Sequence, residues 1–282
     1  ISNSLLNAQN YQAMHGSSYA GSLGAGNNPA SIVHVPFSWD ITPVAAQLKH
    51  STNAFVINNS SLFSPVKNAE VKGILGDRKR FLMANQDIRL LNARFRINSQ
   101  SAIAFGISVR NYLSAKTSTV NWRDTFSTLR DFIGFNAANS PLAASFRSNA
   151  WAEVYGTYAQ TLVDNENEVL NGGITLKVNR GLGIAFITGS NLGYLPSTVN
   201  GKPGYLINRG EIEYGYSSNF DDLDSGLTFS EVRSQLLNRT FSTIAASFGI
   251  EYIVPVEMEG DESNTYSYDL KIGVGLIDIG FN

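Results

Sequence analysis

Five stretches of the chain alternate apolar and polar residues, and that period of two constrains the fold more than any other feature. In "IRLLNARFRIN", residues 88–98, Leu91, Ala93, Phe95 and Ile97 fall on one side while Asn92, Arg94, Arg96 and Asn98 fall on the other. Side chains of an extended strand point alternately to opposite faces, so this is a strand with one apolar and one strongly polar face. The next stretch sets Ile103, Phe105, Ile107 and Val109 against Ala104, Gly106, Ser108 and Arg110. The short join between the two predicts a hairpin. The rhythm returns at Ile174, Leu176 and Val178 and again at Ile244, Ala246, Phe248, Ile250 and Tyr252. It recurs a last time at Tyr266, Tyr268, Leu270, Ile272, Val274 and Leu276.

Further strands are predicted at residues 35–42, 53–58, 151–162, 182–189 and 211–218, about ten in all. Lengths of nine to eleven residues exceed the five or six of an ordinary soluble strand and match a tilted strand crossing a bilayer. Trp39, Trp122 and Trp151, with Tyr112, Tyr155, Tyr158, Tyr252, Tyr266 and Tyr268, fall near strand ends, where an interfacial girdle would sit. Two helices are expected in connections: one in "NWRDTFSTLRDFIGF" within a long join at 114–150, and one in "TFSEVRSQLLN" with Ser230 as its N-cap before Glu231.

Composition narrows the function classes. Charged residues make up 16% of the chain, below the roughly 25% of a typical soluble domain. The net charge is -2 and the longest basic cluster is Arg78, Lys79 and Arg80, so no nucleic-acid footprint exists. The absence of cysteine removes thiol nucleophiles and Cys-zinc sites. No basic and apolar leader opens the sequence, so any secretory signal is expected to have been removed already or never to have existed. His15, His34 and His50 are not at metal-ligand spacing, no G-x-S-x-G elbow occurs, and the acidic run at 221–224 lacks the Gly and terminal Glu of a calcium loop. No catalysis, cofactor or metal is expected.

The polar faces carry Arg94, Arg96, Arg110, Glu153, Lys177, Glu211, Glu213, Glu251, Asp269 and Lys271. In a barrel this face is the lumen, and mixed signs suit a filled or narrow lumen better than a wide channel. The segment "MHGSSYAGSLGAGNNPASI", residues 14–32, is dominated by Gly, Ala, Ser and Asn, but its glycines do not follow the order of a phosphate loop. The chain divides into this segment, within 1–34, and strands over 35–282.

Met14, Gly16, Ser18, Ala20 and Gly21, followed by Asn28, Pro29 and Ala30 before the first strand, resemble the N-terminal segments of FadL-like outer-membrane barrels. They resemble still more the Bacteroidota relatives that include PorV and uncharacterised sister families. "LKIGVGLIDIGF", residues 270–281, resembles a strand of that uncharacterised group. The resemblance implies an all-β transmembrane antiparallel barrel of about 10–14 strands in a Gram-negative outer membrane, with the N-terminal segment packed at or inside the wall. Such barrels usually run longer and close on a strand ending in an aromatic residue. This one ends at Phe281 and Asn282, so either an incomplete piece or a small barrel is expected. The implied surroundings are outer-membrane lipid and other envelope proteins, and the implied role is a non-enzymatic component that docks proteins in secretion or envelope assembly. A FadL-like transport barrel or narrow porin is the alternative, and a soluble all-β binding protein the third.

Overall fold

Ten strands appear among the described residues: β1 (Trp39–Thr52), β2 (Phe55–Asn58), β3 (Glu70–Gly73), β4 (Gly76–Asn98), β5 (Ser101–Trp122), β6 (Leu142–Asp164), β7 (Val169–Val199), β8 (Lys202–Tyr216), β9 (Ser242–Pro255) and β10 (Tyr268–Phe281). Two helices, α1 (Leu129–Ala137) and α2 (Phe229–Leu237), lie in the connections after β5 and β8. The structure, a computed structural model, describes residues 14, 16–59, 69–126, 128–137, 140–199, 201–221, 226, 228–237, 240–256 and 267–281.

One antiparallel sheet, in the order β1-β4-β5-β6-β7-β9-β10, curls into a half-barrel, while β2 and β3 form a separate hairpin. Strand β7 pairs with β6 on one edge and shares its other edge between two partners. Its first part, from Val169 to Arg180, pairs with β9, and its last part, from Ala185 to Val199, pairs with β8.

The two faces are the reverse of a water-soluble sheet. On the convex face Ile88, Ile103, Phe105, Ile107, Val154, Leu176, Ile250 and Val274 are exposed. On the concave face Asp87, Arg89, Asn92, Arg94, Ser108, Arg110, Glu153, Lys177 and Glu251 are buried. Outward apolar residues run from Ile103 to Val109 on β5 and from Ile244 to Tyr252 on β9, about 20–27 Å along the strands. Above this band the convex face turns polar at Gln86 and Asn111, whose side-chain amides are 3.3 Å apart.

Bulges keep the faces consistent. Leu91 has φ +106°, and the register steps from Arg89↔Ser108 to Asn92↔Gly106. The partner strand skips at the same level, from Thr42↔Asn92 to Val44↔Leu90, leaving out Pro43, which has no N–H to donate. Without the extra residue, either Asp87 and Arg89 or Arg94 and Arg96 would point outward. Asp278, at φ +59°, does the same for β10, where the register steps from Leu276 to Ile279.

The hairpin at 98–101 forms as expected, with Asn98 paired to Ser101. Most strands are longer than the alternation indicated, because the apolar/polar contrast fades where both faces are wet. Strand β5 runs on to Trp122 and β6 begins at Leu142, which shortens the expected join at 114–150. The stretches at 174–178 and 182–189 are one strand, β7. The first strand starts at Trp39 rather than 35, because Val35 is fully buried in the N-terminal segment. The aromatics also divide: Trp151 and Tyr112 stack at 5.2 Å facing inward, and Tyr155 is buried with its hydroxyl donating to Asn92 Oδ1 at 2.7 Å. None of these three belongs to an outer girdle. His15, Tyr266 and residues 222–224 of the acidic run lie outside the described residues.

Thr228, not Ser230, caps α2. Its hydroxyl and backbone N–H each donate to Glu231 Oε2 at 2.7 Å, and Glu231 N–H returns a 3.4 Å contact to the hydroxyl, a capping box. These bonds hold the Glu231 carboxyl below the usual carboxylate range, first the hydroxyl and then the backbone N–H. The cap is therefore in force above the ordinary Glu pKa and lost as pH falls through the lowered one. Thr228→Ala is expected to speed amide hydrogen exchange in the first turn of α2 roughly fivefold, as for a typical N-cap. Unchanged exchange would show that α2 is held by packing alone.

Candidate functional site

Small residues on the concave face form a seat. The register aligns Ala102 with Ala159, Ala159 with Gly173, Gly173 with Gly249 and Gly249 with Gly275 across five strands. Onto this row the N-terminal segment lays two short 3-10 turns, Gly21–Gly26 and Pro29–Ile32. A side chain at Gly173 would sit 2.5 Å from the Pro29 carbonyl carbon and 2.6 Å from the Ala30 nitrogen, and one at Gly249 would strike Asn28 Oδ1. Asn28 fastens the turn at both ends: its Oδ1 accepts from Ala30 N–H at 3.0 Å, and its Nδ2 donates to Ile250 O at 3.0 Å. The turn buries Ile32 completely.

Arginines from β4 hold the segment's carbonyl groups. Arg94, fully buried, donates from Nε to Ile32 O at 2.5 Å and from Nη1 to Phe37 O at 2.7 Å. Arg96 donates to Val35 O, and Arg89 reaches Leu23 O at 3.4 Å. At the other side, Ser22 N–H donates to Asp40 Oδ1 at 2.8 Å, and Gly21, at φ +54°, passes directly over that carboxylate. The motif residues thus share one place: Ala20, Gly21, Asn28, Pro29 and Ala30 are buried. Met14 and Gly16 line a small cavity of about 100 Å³ at the segment's start, beside Glu251 and Lys271.

Beyond the segment lies a layer of ion pairs. Arg110 Nη2 is 3.0 Å from Glu153 Oε1, and Arg110 Nη1 is 3.2 Å from Asp278 Oδ2. Lys177 joins the same Asp278. Asp87 lies 3.5 Å from Arg110 and 3.8 Å from Arg89, distances of charge contact more than of aligned hydrogen bonds. Asp87, Glu153 and Asp278 balance Arg89, Arg110 and Lys177, three charges against three. A second pair, Lys271 with Glu251 at 3.1 Å, stands apart on β9 and β10. Of the charges expected to face the lumen, Glu211, Glu213 and Asp269 join neither group and are exposed.

Above the ion pairs the concave face opens into a cavity of about 1050 Å³. Tyr112 and Trp151 stack where the ion-pair layer gives way to this space, and Trp151 Nε1 lies 3.4 Å from Glu153 Oε2. Lys49, Lys116, Arg147 and Glu213 lie on its wall, together with Met83, Ile184 and Phe186. Asp87, Arg89 and Asp278 were not singled out from the sequence. The bulge at Leu91 puts Asp87 and Arg89 one residue out of step with the alternation over 91–98, and Asp278 lies within the second bulge.

A family of unknown function, DUF5723, matches residues 29–281. No curated protein and no solved structure matches the chain.

Proposed function

We propose, from the premise that this chain belongs to the DUF5723 family, that it is a non-enzymatic outer-membrane β-barrel component that docks other envelope proteins. One observation carries the membrane part: the sheet buries its charges on the concave face and exposes a continuous apolar band on the convex one. Water does not reward that arrangement, whereas a hydrocarbon layer of about 25 Å does. The docking part is supported by how the interior is occupied. The N-terminal segment covers the lower concave face and the ion pairs fill the level above it, so the polar interior serves packing more than passage. Strands β4 to β8 continue past the apolar band and, with α1 and α2, give such partners a place to bind outside the lipid. Kinship with PorV and FadL-like barrels, resting on the N-terminal motif, belongs to the same proposal.

The test is to tag the protein in its native host, extract the membranes in mild detergent and identify what co-purifies. A heat-modifiable band in the membrane fraction and a stoichiometric protein partner are the expected results. Recovery without detergent would sink the membrane reading. The cavity favours a second reading, transport of small solutes; steady single-channel conductance from the isolated protein, with no partner, would replace docking by it.

A further inference from the structure

We propose that the upper cavity is a binding site for an organic anion, with Lys116 and Arg147 gripping the anionic group and Tyr112 and Phe186 receiving an apolar or aromatic body. This goes beyond the docking reading and stands whether or not the barrel binds partner proteins. Lys116 pairs in register with Ser145, two residues from Arg147 on the adjacent strand. Such diagonal neighbours are about 7–8 Å apart, within reach of one another's long side chains, so both can meet one carboxylate, phosphate or sulfonate. Arg147 in turn pairs with Phe186, and the next row toward the ion pairs holds Tyr112 and Asn149. Ring surfaces therefore lie directly beside the cationic pair.

Charge balance favours an anion. Lys116 and Arg147 share this wall with one carboxylate among the described residues, Glu213. The ion-pair layer is internally balanced and leaves no excess charge to neutralise them. Glu213 forms no ion pair with either among the described residues. It sits in the row of Lys116, with Ser145 and Thr188 between them, roughly 14 Å away at about 4.8 Å per strand. Lys116 and Arg147 form no ion pair among the described residues. The volume, about 1050 Å³, is at the upper end for small-molecule sites.

The probe is pyranine, a fluorescent aromatic trisulfonate, titrated by anisotropy into the full chain in a zwitterionic detergent. Saturable binding is expected, weakened at least tenfold in Lys116→Gln/Arg147→Gln and tightened two- to threefold in Glu213→Gln. Each single glutamine variant is measured beside the double one, with heat-modifiable migration confirming the fold. Competition separates the sources of the anion. Displacement by aromatic carboxylates well below the concentration needed for inorganic phosphate supports an organic ligand. Equal displacement by phosphate overturns the role of the ring surfaces. No saturable binding, or equal binding by the folded double variant, overturns the site.

Discussion

Arg110→Met is expected to lower the unfolding free energy by about 3–5 kcal/mol, the usual cost of removing one partner from a buried charge group. Arg110 stands between three carboxylates: Glu153 at 3.0 Å, Asp278 at 3.2 Å and Asp87 at 3.5 Å. Its side chain is 3% exposed, and those of Asp87 and Glu153 are 1% and 4% exposed, so water cannot take its place beside these two, while Asp278 at 41% keeps access to water. Arg89 and Lys177 remain, but each already serves one of the same carboxylates. Adding Glu153→Gln to the variant removes one uncompensated charge and is expected to recover part of the loss. Urea unfolding in detergent, followed by tryptophan fluorescence, measures both. A loss below about 1 kcal/mol would mean that the carboxylates are hydrated in solution, and the interior would have to be wetter than this geometry allows.

Gly173→Val is expected to unseat the N-terminal segment. The added Cβ meets the backbone of Pro29 and Ala30 at 2.5–2.6 Å, and backbone cannot rotate away as a side-chain tip can. Overpacking of this kind costs about 1–3 kcal/mol, and here the segment can relieve it by leaving. Limited proteolysis is the direct readout, with new cuts expected at residues 16–37 and a lower thermal midpoint. Gly156→Ala is the control, because no atom lies within 4 Å of a Cβ there. Protection of residues 16–37 in the valine variant would show that the sheet yields instead of the segment, and the small-residue row would lose its meaning as a seat.

How much of this was legible beforehand can be read from particular residues. Ile103, Phe105 and Ile107 and their polar neighbours announce β5 and its two faces, because a strand with one apolar side has no other pattern. The same periodicity places Arg94, Arg110, Glu153 and Lys177 together on the other side. It does not find Arg89 or Asp278, since Leu91 and Asp278 each shift the pattern by one. Nor does it find where β5 ends, since Lys116, Thr117 and Thr119 are equally suited to a loop and to a strand wetted on both faces. The grip of Arg94 on Ile32 and Phe37 joins residues about sixty positions apart, which no local pattern encodes.

The bond from Asn28 to Ile250 spans 222 positions of sequence. The seat it belongs to needs Ala102, Ala159, Gly173, Gly249 and Gly275 side by side, drawn from five strands between residues 102 and 275. Contacts so distant form late, after the intervening chain has been ordered. The segment that precedes β1 in the sequence is therefore the last to settle, and until it does the carbonyl-binding arginines of β4 have only water or, for Arg89, the carboxylate of Asp87 to hold. Folding of this protein has a closing step that belongs to its beginning.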